Sequence, residues 1–174
     1  MTTIEVARAF AAKAHEGQTR KGQGQEPYFV HLEEVAALVA QFGGSSTAVM
    51  AAWLHDTVED CGVTSAEISR LFGPKVAAIV AELTDDKALE KAERKRMQIL
   101  NAPGKSPEAA LVKLCDKLSN VRAVGNSPPV HWPIERKRAY VDWAETVVQA
   151  LPELSAEARA AFDAVVAQTR ETLA

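Results

Sequence analysis

Apolar residues recur along the chain at the three- and four-residue spacing of amphipathic helices, and no stretch alternates apolar and polar as a half-buried strand does. The pattern predicts a first helix over Thr3 to Glu16, with Val6, Phe10 and Ala14 on one face, followed by a polar, glycine-rich loop from Gly17 to Pro27. A second helix follows His31, with Val35, Leu38, Val39 and Phe42 as its stripe and Gly43-Gly44 as its stop. Ser45 or Ser46 caps a third helix that runs to about Asp60. Thr64-Ser65-Ala66-Glu67 is a capping box for a short fourth helix. Gly73-Pro74 opens a fifth, apolar through Val76, Ile79, Val80 and Leu83, and residues 88–100 form a charged sixth. Ser106 followed by Pro107 starts a helix to about Val124. Two long helices, near 133–150 and 155–173, follow on either side of Pro152. One all-α domain over 1–174 is expected, with no internal repeat and no linker.

Composition narrows the function classes. Of 174 residues, 47% are hydrophobic and 25% charged, so a packed core is expected rather than disorder. No run of apolar residues is long enough for a transmembrane helix, and the first ten residues, carrying Glu5 and Arg8, lack the apolar centre of a signal peptide. Cys61 and Cys115 form no CxxC pair, and a reduced, cytoplasmic protein is expected. A net charge of -3 argues against nucleic-acid binding. It also sits awkwardly with any polyanionic substrate.

Candidate chemistry gathers in two segments. Residues 48–60 begin apolar all round and end with His55, Asp56, Glu59 and Asp60 on one broad face, opposite Leu54 and Val58. Loading a buried helix with an imidazole and three carboxylates is costly unless a cation compensates. Read alone, Glu59 and Asp60 also fit a solvated helix end. On the helix from Pro107, Leu111, Leu114, Cys115, Leu118 and Val121 make an apolar face, and Lys113, Asp116, Lys117 and Asn120 lie opposite, as either a solvated face or a site. His31 stands at a helix start, where a helix cap or core histidine is the plainer reading. Together His31, His55, Asp56 and Asp116 offer two nitrogens and two oxygens, a set suited to Mn, Fe or Co. A structural zinc site would more often use cysteine. His15 and His131 read as structural, Trp53 and Trp143 as core, and Lys91, Arg94, Lys95 and Arg96, interleaved with Glu90 and Glu93, as an exposed, salt-bridged face.

Several segments, in order and spacing, resemble the HD-domain hydrolases of the RelA/SpoT-homologue superfamily, in particular the stand-alone small alarmone hydrolases of the metazoan-type group. They are Ala14-His15-Glu16-Gly17-Gln18-Thr19-Arg20-Lys21, Pro27-Tyr28-Phe29-Val30-His31, Leu54-His55-Asp56-Thr57-Val58-Glu59-Asp60 and Phe72-Gly73. Leu83-Thr84-Asp85-Asp86-Lys87, the run from Leu111 to Asn120, and Tyr140-Val141-Asp142-Trp143-Ala144 complete the set, which spans roughly residues 4–150. The resemblance implies an HD-domain helical bundle with one Mn²⁺ held by His31, His55, Asp56 and Asp116. It implies hydrolysis of the 3′-diphosphate of ppGpp and pppGpp to GDP or GTP plus pyrophosphate, in a stand-alone form without a synthetase domain. The Glu-Asp pair after His-Asp separates this hydrolase group from HD proteins that stop at His-Asp.

On that reading Glu59 and Asp60 do acid/base work. Arg20, Lys21, Lys113, Lys117, Arg136 and, less centrally, Lys87 neutralise phosphates, while Asn120 and Tyr140 bind ribose or phosphate. The chain departs from the family at Leu32, usually proline, at Cys115, usually alanine, and at Ser119, usually larger, where a looser fit to substrate is expected. The same chemistry suits the 2′-phosphate of NADPH, another nucleotide, or an alarmone-binding module without turnover. No membrane or nucleic-acid partner is expected, and the oligomeric state is left open.

Overall fold

Serine and threonine start half of the helices in the computed structural model, which describes residues 3–174. The hydroxyls of Thr3, Ser45, Thr64, Ser106 and Ser155 accept from the main-chain N–H three residues on, at 3.1–3.4 Å, each cap being worth about 1 kcal/mol. They open α1 (Ile4–Ala14), α3 (Ser46–Leu54), α5 (Ser65–Phe72), α8 (Pro107–Asn126) and α10 (Ala156–Thr172). The others are α2 (Phe29–Gln41), α4 (Thr57–Asp60), α6 (Pro74–Leu83), α7 (Lys91–Asn101) and α9 (Ile134–Ala150), with a 3-10 turn over Ala102–Gly104. Gly73 ends α5 and starts α6 at φ +93°, a left-handed conformation that a side chain would resist. Among the described residues there is no strand, only two isolated bridges, Thr19 to Pro27 and Gly22 to Pro129. Met1 and Thr2, at the start of the domain expected over 1–174, lie outside the described residues. No described helix is long and apolar enough to cross a membrane.

The core is built around α8. It packs against α10, α2, α3, α6 and α9, and every residue from Val112 to Ser119 is buried. The polar face of α8 is therefore not solvated: Lys113, Asp116, Lys117 and Ser119 are all buried with the leucines behind them. The loop between α1 and α2 lies over the C-terminal end of α8. There Gly22 leaves no room for a Cβ, which would fall 2.2 Å from Ser127 Oγ.

Two expectations change. On α1 the buried stripe is Ala7 and Ala11, with Val6 turned outward, because small residues let α1 lie close to α3. The helix expected to run to Asp60 pauses after Leu54. His55 Nδ1 takes the Ala52 carbonyl at 2.6 Å and Thr57 Oγ1 donates to the Leu54 carbonyl at 2.7 Å, so side chains occupy acceptors at the break. Asp56 falls at φ -101°, ψ -5°, in the sparsely populated bridge region.

Candidate metal centre and anion pocket

Three helices bring four side chains to one point. α2 supplies His31 from its first turn, the pause between α3 and α4 supplies His55 and Asp56, and the middle of α8 supplies Asp116. His31 Nε2 lies 3.2 Å from Asp116 Oδ1 and 3.8 Å from Asp56 Oδ2. His55 Nε2 lies 3.1 Å from Asp56 Oδ2 and 3.6 Å from Asp116 Oδ1. These are spacings of neighbouring ligand atoms around one ion with bonds of about 2.1 Å. Both Nε2 atoms are buried and make no hydrogen bond. The carbonyl of Ala52 can only accept, so His55 keeps a proton on Nδ1 and it is Nε2 that is turned to the carboxylates, where an ion would take the place of a proton.

The carboxylates are aimed as well. Tyr28 Oη donates to Asp56 Oδ2 at 2.6 Å, and Asn120 Nδ2 donates to Asp116 Oδ1 at 2.9 Å. Lys117 Nζ lies 3.4 Å from Asp116 Oδ2.

Electrostatics mark this as a place that wants positive charge. Burial opposes ionisation of Asp116, yet Lys117, the two histidines and Lys113 hold its carboxyl well below the usual range. Burial likewise opposes ionisation of Asp56, but His55 overcomes it. His31 is pushed down by its burial. His55, against the same burial, is pushed up to about 10 by Asp56 and Asp116. Two orphaned imidazole nitrogens and two low carboxylates fit a divalent ion with nitrogen and oxygen ligands.

Beyond the centre, one ligand oxygen each of Asp56, Glu59 and Asp60 lies within 4.8 Å of the others. Burial, then the carboxylates of Asp85, Asp56 and Asp60, push Glu59 up from an ordinary 4.5 to about 7. Asp60 is turned outward to Lys87 at 2.7 Å, so Lys87 anchors a carboxylate and is not among the residues lining the main cavity. A stability consequence follows from Glu59. Between pH 4.5 and 7 the folded chain keeps a proton there that the unfolded chain releases, so stability falls as pH rises through that window. In chelator-stripped protein Glu59→Gln is expected to raise Tm at pH 8 and leave it nearly unchanged at pH 4.5. Equal effects on Tm at the two pH values would show that burial of the charge is not the cause.

Next to the metal centre opens a cavity of about 470 Å³. Tyr28 and Asn120, which hold Asp56 and Asp116, form the shared wall. The cavity is lined by Arg20, Lys21, Lys91, Arg94, Lys95 and Arg136, with Asp85 the one carboxylate among its lining residues. Arg20 Nη2 donates to Asn120 Oδ1 at 3.0 Å. Trp132, Tyr140 and Trp143 face the cations. Arg136 lies 4.4 Å over Trp132, Lys95 4.6 Å over Trp143, and Lys117 4.4 Å over Trp143. Burial first, then neighbouring cations, push Lys91 and Lys95 down. Crowded cations with so little counter-charge make a receptor for an anion.

The structure sorts the residues expected from sequence. Arg20, Lys21, Asn120, Arg136 and Tyr140 line the main cavity. Lys113 is buried and lines a neighbouring cavity of about 260 Å³ with Glu82, Asp85 and Lys105. Lys117 lines neither and ends on Asp116 and Trp143. Ser119, expected to face substrate, is buried in the helix interface against His31 and Glu34. Trp143 is half-buried, packed against the core on one side and lining the cavity on the other. α7 departs most from expectation: only Arg96, paired with Glu93, is on the salt-bridged outer face, while Lys91, Arg94 and Lys95 turn into the cavity. The signal was available, since 91, 94, 95 and 98 share one helical face.

Comparison with known proteins gives the family. The HD domain family profile matches residues 7–141. The guanosine-3′,5′-bis(diphosphate) 3′-pyrophosphohydrolase MESH1 of Xenopus tropicalis is 47% identical over 147 residues, covering 83% of this chain and 82% of that protein. The human protein of the same name is 44% identical with the same coverage. A solved structure, described as a metazoan ortholog of SpoT that hydrolyzes ppGpp, superposes with a TM-score of 0.92 at 38% identity, over 97% of this chain and 96% of that one. The paired histidines and aspartates lie within the matched span, and the chain belongs to the HD-domain family.

Proposed function

We propose that this chain is a (p)ppGpp 3′-pyrophosphohydrolase that uses Mn²⁺ at the centre formed by His31, His55, Asp56 and Asp116. The observation that carries the reading is the joint one: a cation-seeking cluster of two imidazoles and two carboxylates opens beside a cavity crowded with arginine and lysine. The relatives named for this reaction support the substrate.

When bound, the ion supplies Lewis-acid polarisation of the phosphoryl group and of the attacking water. The chain supplies the rest. Water attacks the phosphorus bonded to the 3′ oxygen, a new P–O bond forms, and the bond from that phosphorus to the 3′ oxygen breaks. Pyrophosphate leaves and the 3′ oxygen takes a proton. Glu59 is the group to move that proton, because its half-buried carboxyl is held near neutrality. Asp60, anchored by Lys87, adds negative charge that keeps the Glu59 proton affinity high. Arg20, Lys21 and Arg136 take the diphosphates, and Tyr140, with its hydroxyl kept protonated by burial, takes ribose or phosphate. Lys117 offsets the charge of Asp116, and Lys113, which lines the neighbouring cavity, acts on Asp116 and Glu59 from there.

Stripped protein incubated with Mn²⁺ and ppGpp is expected to release GDP and pyrophosphate in equal amounts, and NADPH in a parallel incubation to lose its 2′-phosphate far more slowly. Turnover of NADPH with ppGpp intact would overturn the substrate, and turnover restored only by an ion other than Mn²⁺ would overturn the metal. Arg136→Ala, on an exposed part of α9, is expected to raise KM for ppGpp roughly tenfold with Tm unchanged, as loss of a charged hydrogen bond does. An unchanged KM would remove Arg136 from the site.

A further inference from the structure

His31 is held from behind by a chain of groups that the centre itself does not explain. Its Nδ1 lies 2.9 Å from Ser119 Oγ, 88 residues away in sequence and within the core. Ser119 Oγ donates to Glu34 Oε2 at 2.6 Å, and Glu34 Oε1 is paired with the Arg122 guanidinium. Protons can be counted along this chain. The Arg122 guanidinium carries only donors and Ser119 donates to the other oxygen, so both Glu34 oxygens accept. The bond to Glu34 therefore uses the single proton of the serine hydroxyl. Only lone pairs remain on Ser119 Oγ, so the 2.9 Å contact is made by a proton on His31 Nδ1. His31 Nε2 is then the lone pair, and it is the buried atom that faces Asp116 and Asp56 without a hydrogen bond.

We propose that Glu34, acting through Ser119, is a positioning residue for the metal centre, fixing His31 as its Nδ1–H tautomer with Nε2 aimed at the ion. The proposal rests on the reading of His31 as a metal ligand. An anionic acceptor behind a ligating imidazole makes the opposite nitrogen a stronger donor. Serine at 119 is small enough to leave space for Glu34 between α2 and α8, and its hydroxyl passes the influence of the carboxylate on to the ring. His55 is held differently, by the neutral carbonyl of Ala52. The two histidines of one centre thus differ in what stands behind them: a carboxylate relayed by a hydroxyl for His31, and a main-chain carbonyl for His55.

Titration of Mn²⁺ into stripped protein, read by the paramagnetic resonance of the free ion, tests this in wild type, Glu34→Gln and Ser119→Ala. Both substitutions are expected to weaken Mn²⁺ binding roughly ten- to a hundredfold with the melting curve retained. Glu34 is partly exposed on α2, so Glu34→Gln tests the relay even where Ser119→Ala does not fold. Long-range ¹⁵N–¹H spectra of the metal-free proteins give an independent readout. The Nδ1–H pattern is expected for His31 in wild type and a mixture of tautomers in Ser119→Ala. Wild-type affinity for Mn²⁺ in Glu34→Gln overturns the proposal, as does an Nε2–H pattern for His31 in the wild-type protein. A wild-type protein that shows the Nδ1–H pattern but binds no divalent ion overturns the metal-centre reading instead, and with it the role of Glu34.

Discussion

Replacement of Asp56 by alanine is expected to leave the protein folded, empty of metal after gel filtration, and slower at ppGpp hydrolysis by about a thousandfold. The carboxylate is one of two that make the centre attractive to a cation, and its Oδ2 is within 3.8 Å of both histidine nitrogens. Lewis-acid stabilisation contributes several kcal/mol to such reactions, and about 4 kcal/mol corresponds to about three powers of ten in rate. Folding should survive because Asp56 lies at the pause between α3 and α4 rather than inside a helix, and because its removal relieves repulsion from Asp116. The Tyr28 hydroxyl is left without its acceptor, and His55 keeps only Asp116 as its carboxylate neighbour. Metal content by elemental analysis, alongside turnover, checks the result. Stoichiometric metal with full turnover would remove Asp56 from the ligand set.

Glu59→Gln is expected to separate the ion from the chemistry. It keeps the shape of the side chain, and Glu59 is not among the atoms that meet at the two histidines, so Mn²⁺ should be retained at wild-type stoichiometry. Turnover should fall by about 10²- to 10⁴-fold, the range for loss of a positioned proton carrier, with little change in KM. The limb of the pH–rate profile that reports Glu59 should vanish. Full ppGpp hydrolysis by Glu59→Ala in Mn²⁺ would falsify the acid/base role. The same substitution that lowers turnover is expected to stabilise the stripped protein above pH 7, as argued from its raised proton affinity, which is the usual exchange of stability for function at a site.

The proposed ligands were legible in the sequence because each sets charge against burial. His55-Asp56 ends an apolar helix, and Asp116 lies on a helix whose other face is continuously hydrophobic. What the sequence concealed was mostly tertiary. The pause after Leu54 depends on two side chains capturing main-chain carbonyls, which helical periodicity does not reveal. The basic face of α7 was masked by Glu90, Glu93 and Arg96, which satisfy the pattern of a solvated helix, and only the approach of α9 turns Lys91 and Lys95 towards Trp132 and Trp143. Ser119 was visible only as a smaller residue. Its hydroxyl matters because Glu34 comes from a helix far away in sequence. The net charge of -3 likewise hid the local arrangement, since six of the 20 lysines and arginines face one cavity that holds a single carboxylate.

The convergence of α2, the α3–α4 pause and α8 on one point has a thermodynamic consequence. The proposed ligands come from segments as distant in sequence as His31 and Asp116, so an ion held by all of them would be a reversible cross-link across the core. It binds the folded chain and has no assembled site in the unfolded one, so the folded state gains stability with free metal concentration. At a hundred times the dissociation constant that gain is about 2.7 kcal/mol. With those ligands the melting temperature becomes a property of the chain and its metal supply together, and withholding the ion is expected to lower activity and lifetime alike.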